Sequence, residues 1–390
     1  MKHKLFNTYT GLIRRIRHLF YGKYLKEWIG EDLYFDVNLL PFFKNNNILF
    51  KTINKETRPC IQGFTEHKFQ SPADAMEMAV GFNIPKDSRV TIKQGDNLLV
   101  EIKNPYHSWI DARYPVRGGK EIIIEGSEKM VISHPQVLVK KKKPKKIICI
   151  VPDCLSSYQF EAKEGESAPK IREFFKEGVS TTQTYCQGDW TLPAFSSMMT
   201  GTYPLQHGVY QPHRYESALP ENLTTMAEVF NQNGFRTFCH SGHVRFAPQY
   251  GHAKGFERFI YRQRDSKNFH IQAIHEAILF LEAHKHEDCF IFIHLLDTHA
   301  PFVPINYLNN HMASMHKDFS AYELGKKRGM DSYIEILRNQ SQVKLFEVDL
   351  ALGSLFDYCK QQNWFKNAVF TVTADHGHPY IPSAQKRLSQ

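Results

Sequence analysis

No stretch of this 390-residue chain approaches the ~20 consecutive apolar residues that a helix needs to span a bilayer. The apolar pair Leu12-Ile13 runs at once into Arg14-Arg15-Ile16-Arg17, so a secretory h-region is missing as well. Cysteine is scarce: seven residues, at 60, 149, 154, 186, 239, 289 and 359, odd in number and mostly inside apolar stretches. They read as reduced core residues and exclude a disulfide framework. These absences predict an intracellular, cytoplasmic protein whose only hold on a membrane is peripheral.

Acids are missing where bases gather. The first 26 residues hold seven Lys/Arg and no Asp or Glu, and residues 140–146 read Lys-Lys-Lys-Lys-Pro-Lys-Lys, so the net charge of +9 is concentrated rather than spread. Basic runs meet nucleic acid or anionic lipid, or simply form solvated linkers. The second run has no interleaved aromatics and falls where two domains join; it reads as a lysine-rich linker over 140–146, and no nucleic acid is expected as a partner. Within residues 1–30, Leu12, Ile16, Leu19 and Phe20 share a helical face with arginines on another. Such a basic amphipathic segment either packs on the protein or lies on a membrane surface. Nothing in the sequence sets the oligomeric state.

What is present is enough for a sizeable core, with 42% hydrophobic residues and length for roughly two or three domains. Residues 31–139 show short alternating runs, Val90-Thr-Ile-Lys, Leu98-Leu-Val-Glu-Ile and Glu121-Ile-Ile-Ile-Glu, separated by Gly-Asp-Asn and Arg-Gly-Gly turn signals. They predict a mainly β accessory domain. Its aromatics Tyr106, Trp109 and Tyr114 either pack in the sheet or line a sugar-binding face.

From residue 147 to 390 strands alternate with helical stretches, which predicts an α/β domain with a mostly parallel sheet flanked by helices. Four apolar strands stand out: Lys146–Pro152, Phe235–His240, Cys289–Leu296 and Ala368–Thr373. Helical spacing marks Leu223–Gly234, Asn268–His284 and Val343–Gln362. Each strand runs into polar, metal-capable residues: Asp153, then Ser241-Gly-His243, then Asp297-Thr-His299, then Asp375-His376 with Gly377 behind it. Ligands of open α/β sheets bind at the carboxyl ends of strands. An Asp-His pair alone caps many turns; four strand ends with such residues point to a metal site.

A fifth segment, Gly188-Asp-Trp-Thr191-Leu-Pro193, leads into a helix with proline in its first turn. Thr191 there is either the N-cap of the helix or a nucleophile activated by a cation at an anion-binding helix end.

In order along the chain, Asp153, Thr191-x-Pro193 with its Met-Thr-Gly-Thr-Tyr-Pro-Leu-Gln-His-Gly tail, Met226–Thr237, Gly255–Phe259, His294–Phe302, Glu347–Gly353 and Ala374–Gly377 resemble the sulfatase-like branch of the alkaline phosphatase superfamily. The resemblance covers about Lys145 to the C-terminus. It implies an alkaline-phosphatase-like α/β fold, Asp153, Thr191, Asp375 and His376 as metal ligands, Thr191 also as nucleophile, and His243 and His299 as groups that bind the substrate anion or protonate the leaving group. Three oxygens and one nitrogen suit one divalent ion, Mn²⁺ or Zn²⁺ ahead of Mg²⁺ or Ca²⁺.

Departures from the sulfatase pattern bear on the reaction. Thr191 stands where sulfatases carry a Cys or Ser that becomes formylglycine, Phe195 stands at the Arg position, and Cys154 takes the place of a second Asp. The pattern is closest to threonine-nucleophile phosphoethanolamine and phosphoglycerol transferases, such as lipoteichoic acid synthases. The resemblance therefore implies a metal-dependent phosphoester hydrolase or transferase acting on a phosphorylated or sulfated glycan or lipid head group. Sulfuric ester hydrolysis and a non-catalytic anion- or glycan-binding module are the alternatives. Family members usually continue well beyond Asp-His-Gly, whereas this chain stops at Gln390, so the expectation is a site completed differently or a truncated domain.

Overall fold

The computed structural model describes residues 35–36, 55–58, 60–62, 65–84, 88–103, 108–127, 130–161, 166–181, 183–210, 218–243, 245–262, 269–299 and 330–377. The basic segment over 1–30 and Tyr106 lie outside them. The chain divides into two units, Met1–Lys142 and Lys143–Gln390.

The first unit is antiparallel. Its strands are β1 (Phe35–Asp36), β2 (Lys55–Arg58), β3 (Cys60–Gln62), β4 (Glu66–Gln70), β5 (Ala75–Ile84), β6 (Arg89–Gln94), β7 (Asn97–Lys103), β8 (Ser108–Pro115), β9 (Glu121–Glu125), β10 (Val131–Ser133) and β11 (Gln136–Val139). One sheet runs β11-β5-β10-β3 with β8 also on β5, and another runs β4-β9-β6-β7. Alternation explains the core: Val90, Ile92, Ile122 and Ile124 point inward and join Met78, Val80, Phe82 and Ile132 in one cluster. Half-buried Tyr114 packs against it, which is the sheet-packing use of that ring.

In the second unit β12 (Lys146–Pro152), β13 (Arg236–Ser241), β14 (Arg258–Tyr261), β15 (Cys289–Leu295) and β16 (Ala368–Val372) form five parallel strands in the order β14-β13-β15-β12-β16. Helices α1 (Ser157–Glu161), α2 (Pro169–Phe174), α3 (Thr191–Thr200), α4 (Pro204–His207), α5 (Met226–Gln232), α6 (Phe269–Ala283) and α7 (Met330–Gln361) connect them. This is an α/β fold with a parallel sheet flanked by helices.

Strand parity assigns the two faces of that sheet. In β15, Cys289, Ile291, Ile293 and Leu295 pack with Ile148, Ile150 and residues of α2, α6 and α7. Phe290, Phe292 and His294 take the opposite face, where Phe292 meets Phe195 of α3 edge-on at 6.0 Å and Phe290 stacks on Phe230 of α5 at 4.3 Å. By the same rule Cys149, Val151 and Asp153 follow one face of β12 while Ile148 and Ile150 take the other.

Lys146, the last residue of the basic run, is the first of β12 and is fully buried. Its Nζ donates to the carbonyls of His284 (2.9 Å) and Glu287 (2.6 Å) and lies 4.7 Å from the Trp364 ring centroid. The earlier lysines carry the solvent-facing part of the run. Among the described residues no helix is long and apolar enough to cross a membrane.

Candidate active site

Asp153 leaves the end of β12 with its carboxyl group fully buried. Its amide donates to Leu295 O (2.9 Å) and its carbonyl accepts from the Thr298 hydroxyl (2.7 Å), which ties the residue to the end of the neighbouring β15. Oδ2 accepts from His294 Nε2 at 3.0 Å, while Oδ1 has no hydrogen-bond partner. Burial opposes ionisation of this carboxyl, yet the hydrogen bond and charge of His294, with His243 and His299 beyond, hold it below the usual carboxylate range.

At the end of β16, Asp375 Oδ1 accepts from the amides of Cys154 (3.0 Å) and His376 (2.9 Å), and Oδ2 is buried without a partner. Burial first, and the charge of Asp153 second, push Asp375 up to about 6. One carboxylate held low and its neighbour raised is the pattern of two acids sharing a site that favours a single negative charge.

His376 Nδ1 lies 2.9 Å from Gly377 O. A carbonyl only accepts, so Nδ1 carries the proton and Nε2 presents its lone pair inward. Nε2 is 3.4 Å from Thr191 Oγ1, 3.5 Å from Asp375 Oδ2 and 3.9 Å from Asp153 Oδ1. The structure thus brings Asp153, Thr191, Asp375 and His376 together.

Thr191 is the first residue of α3 and is almost wholly buried; the N-cap is Trp190, with extended backbone at φ −156 and ψ 162. The N-cap role for Thr191 is therefore not the one its position serves. Gly188 lets the preceding turn close on this helix, since a Cβ there would stand 2.7 Å from Pro193 Cγ.

His243 and His299 form the next layer outward. His243 Nδ1 is 3.7 Å from Asp153 Oδ2, and its ring centroid is 5.3 Å from that of His299. Burial lowers His243 to about 3, with Asp153 opposing the shift, so the imidazole is neutral near pH 7. Gly242 brings it there through a close approach: a Cβ at that position would fall 2.3 Å from the Phe269 ring.

Two residues of the cluster escaped the sequence reading as site residues. His294 is fully buried, and its ring meets Phe195 edge-on at 4.8 Å. Parity with Phe290 and Phe292 was the available signal, for it directs His294 to the α3 face. Cys154 is the other. Ligand-type atoms of Asp153, Cys154 and His376 lie within 4.8 Å of one another, all buried, in the single such group among the described residues. Cys154 therefore belongs to the site and departs from the core role expected of the cysteines. Cys186 also departs from it, being exposed.

The Sulfatase family model matches residues 145–388. The chain belongs to the sulfatase family. Among solved structures, a protein from Bacteroides thetaiotaomicron described with the metabolism of multiple glycosaminoglycans is 16% identical over 61% of this chain and 62% of that one, with a TM-score of 0.45. The lipoteichoic acid synthase LtaP from Listeria monocytogenes is 17% identical over 64% and 60%, with a TM-score of 0.43. A protein solved with its substrate D-glucosamine-2-N,6-O-disulfate is 14% identical over 60% and 66%, with a TM-score of 0.43. The match to the first of these spans about six-tenths of its length.

Sulfatase-family proteins are metal-dependent, and the donor set fits a divalent cation. Two buried carboxylate oxygens without partners, Asp153 Oδ1 and Asp375 Oδ2, face the imidazole lone pair of His376. Buried acids in that state are unfavourable without a positive charge between them. Phe195 stacks on Phe246 at 4.1 Å and meets the buried His294 ring edge-on at 4.8 Å.

Proposed function

We propose that the Lys143–Gln390 unit is a divalent-cation-dependent phosphoester hydrolase or phosphotransferase with Thr191 as its nucleophile. The observation that supports this most is Thr191 Oγ1, 3.4 Å from His376 Nε2 and at the start of a ten-residue helix, among the acids Asp153 and Asp375. A threonine cannot become formylglycine, because its β-carbon bears a methyl group.

Asp153, Asp375 and His376, with Thr191, would hold the ion. When bound there, the ion would lower the pKa of the threonine hydroxyl and offset charge on the phosphoryl oxygens. Thr191 Oγ1 forms a bond to phosphorus, the bond to the leaving oxygen breaks, and the hydroxyl proton passes to solvent. The first-turn amides at the start of the Thr191–Thr200 helix would serve as donors to the phosphoryl oxygens. His243, neutral with a pKa about 3, suits hydrogen-bond donation to the substrate anion; His299 beside it suits proton delivery to the departing oxygen. Water or an acceptor hydroxyl then attacks the phosphothreonine, restoring Thr191. The substrate class is a phosphorylated glycan or lipid head group, and Mn²⁺ or Zn²⁺ suits the oxygen-nitrogen set.

The match of the Sulfatase family model supports a second reading, sulfuric ester hydrolysis at the same site. Metal-stripped protein assayed on an aryl phosphate monoester, a phosphodiester and a sulfate ester, with Mn²⁺, Zn²⁺, Mg²⁺ or Ca²⁺ restored singly, separates the two. Metal-dependent phosphoester cleavage, lost by about 10³-fold or more in Thr191→Ala and accompanied by a phosphorylated Thr191 in mass spectra, is expected. Turnover of sulfate ester alone supports the second reading, and full activity of Thr191→Ala ends the nucleophile role. Silence on all three substrates turns attention to a non-catalytic anion- or glycan-binding module.

A further inference from the structure

Cys154 has a backbone φ of +60, in the left-handed region that is unfavourable for a residue bearing a Cβ. Strain of this kind persists where surroundings hold it and gathers at functional positions. Here the Cys154 amide donates to Asp375 Oδ1 at 3.0 Å, which locks the residue to the acid at the end of β16. Cys154 is 1% exposed, and its sulfur lies 3.6 Å from His376 Nε2 and 3.7 Å from Nδ1.

The Cys154 sulfur, the Asp153 carboxylate and the His376 imidazole each offer one ligand-type atom, and these atoms lie within 4.8 Å of one another, all buried. Independently of the cysteine, Asp153 Oδ1 and Asp375 Oδ2 are buried, unpartnered and directed at the same Nε2.

We propose that Cys154 is a thiolate ligand to the cation held by Asp153 and His376, so that the site takes Zn²⁺ and other thiophilic divalent ions ahead of Mg²⁺ or Ca²⁺. This rests on the one-cation reading given above. Thiolate and imidazole donors select Zn²⁺, Co²⁺ and Cd²⁺, whereas an Asp at position 154 would make the set harder and favour Mg²⁺, Ca²⁺ or Mn²⁺. On binding, the metal–sulfur bond forms and the thiol proton leaves to solvent, with no change of oxidation state.

The test is optical and needs no turnover. The full chain, stripped of metal, is titrated with Co²⁺, whose visible d–d bands report binding and whose near-ultraviolet thiolate charge-transfer band reports sulfur ligation. Both bands are expected in the wild type. In Cys154→Ser and Cys154→Ala, each checked for folding by circular dichroism, the charge-transfer band disappears while d–d bands remain. Zn²⁺ affinity falls by about 10–100-fold and Mg²⁺ affinity by less than about threefold. Strong d–d bands without charge transfer in the wild type overturn the thiolate ligand alone and leave the one-cation reading standing. A charge-transfer band unchanged in Cys154→Ala assigns the sulfur to another cysteine and overturns it equally. Absence of d–d bands overturns both.

Discussion

His294 decides how Asp153 can behave. Its Nε2–H is the single strong donor to Asp153 Oδ2, at 3.0 Å with both groups fully buried. In His294→Ala that oxygen is left buried and unpartnered, at a cost of about 1–3 kcal/mol in urea unfolding. Zn²⁺ affinity measured by calorimetry falls by about 10–100-fold, because the ligand loses its orienting partner. Unchanged affinity would mean that the strand end alone orients the acid. His252 makes a different residue-level prediction. It is fully buried with Nε2 3.0 Å from Ser196 Oγ, and burial lowers it from 6.5 to about 3. Between those values the unfolded chain binds a proton that the folded chain refuses, so stability is full above about 6.5 and is lost as pH falls through the window. The loss at pH 5 from this one group is about 2 kcal/mol. Urea unfolding at pH 7.5 and 5.0 should show it, and His252→Gln should reduce the difference by a similar amount.

Helix α2 begins at Pro169 behind Ala168, which supplies no side-chain cap. The cap comes from another element. Asp349, in the middle of α7, accepts from the Lys170 amide through Oδ2 and from the Ile171 amide through Oδ1, both at 2.8 Å. These are the orphan donors of the first helical turn, which a local Ser or Asp ordinarily satisfies. Burial raises the Asp349 carboxyl while the two amides oppose the shift. Asp349→Ala should therefore destabilise the chain by about 1–3 kcal/mol in chemical denaturation, and Asp349→Asn, which keeps one acceptor oxygen, by less. An Ala variant as stable as the wild type would show that water replaces the carboxylate. The segment Glu347–Gly353, one of the stretches that carry the family resemblance, thus has a structural task in joining two helices.

For the whole molecule the central expectation is linkage between cation binding and stability. An ion that binds only the folded state at 100 times its dissociation constant adds about 2.7 kcal/mol, or roughly 5–10 °C in the transition of the Lys143–Gln390 unit. Calorimetric scans in EDTA and in excess Zn²⁺ measure it. An unshifted transition would remove the cation from the site. The fold makes such linkage natural, since the carboxylates come from β12 and β16 and the orienting histidine from β15, so the ion would bridge three adjacent strands.

Much of this was legible from local pattern. The uninterrupted apolar run Lys146–Pro152 is β12 at the same bounds, and Cys289–Leu296 is β15 less one residue, because a strand buried on both faces needs apolar side chains at every position. β14 was not legible, being four residues long and opening on Arg258, and the first turns of α7, Met-Asp-Ser-Tyr-Ile-Glu, carry too little apolar periodicity to mark a helix. Residue chemistry brought forward Asp153, Ser241, His243, Asp297, His299, Asp375 and His376 at the strand ends and Thr191 at a helix start, and the family resemblance narrowed that set and gave its members their expected roles. What sequence alone could not decide was which atoms meet. Val151 pairs with His294 across parallel strands, so Asp153, two residues on and on the same face, reaches His294 Nε2. Cys154 and His376 are 222 positions apart, and the left-handed backbone at Cys154 sets its sulfur beside the imidazole. Periodicity and residue type are local properties carried by the chain itself, whereas strand register and a strained backbone angle exist only once the sheet has assembled.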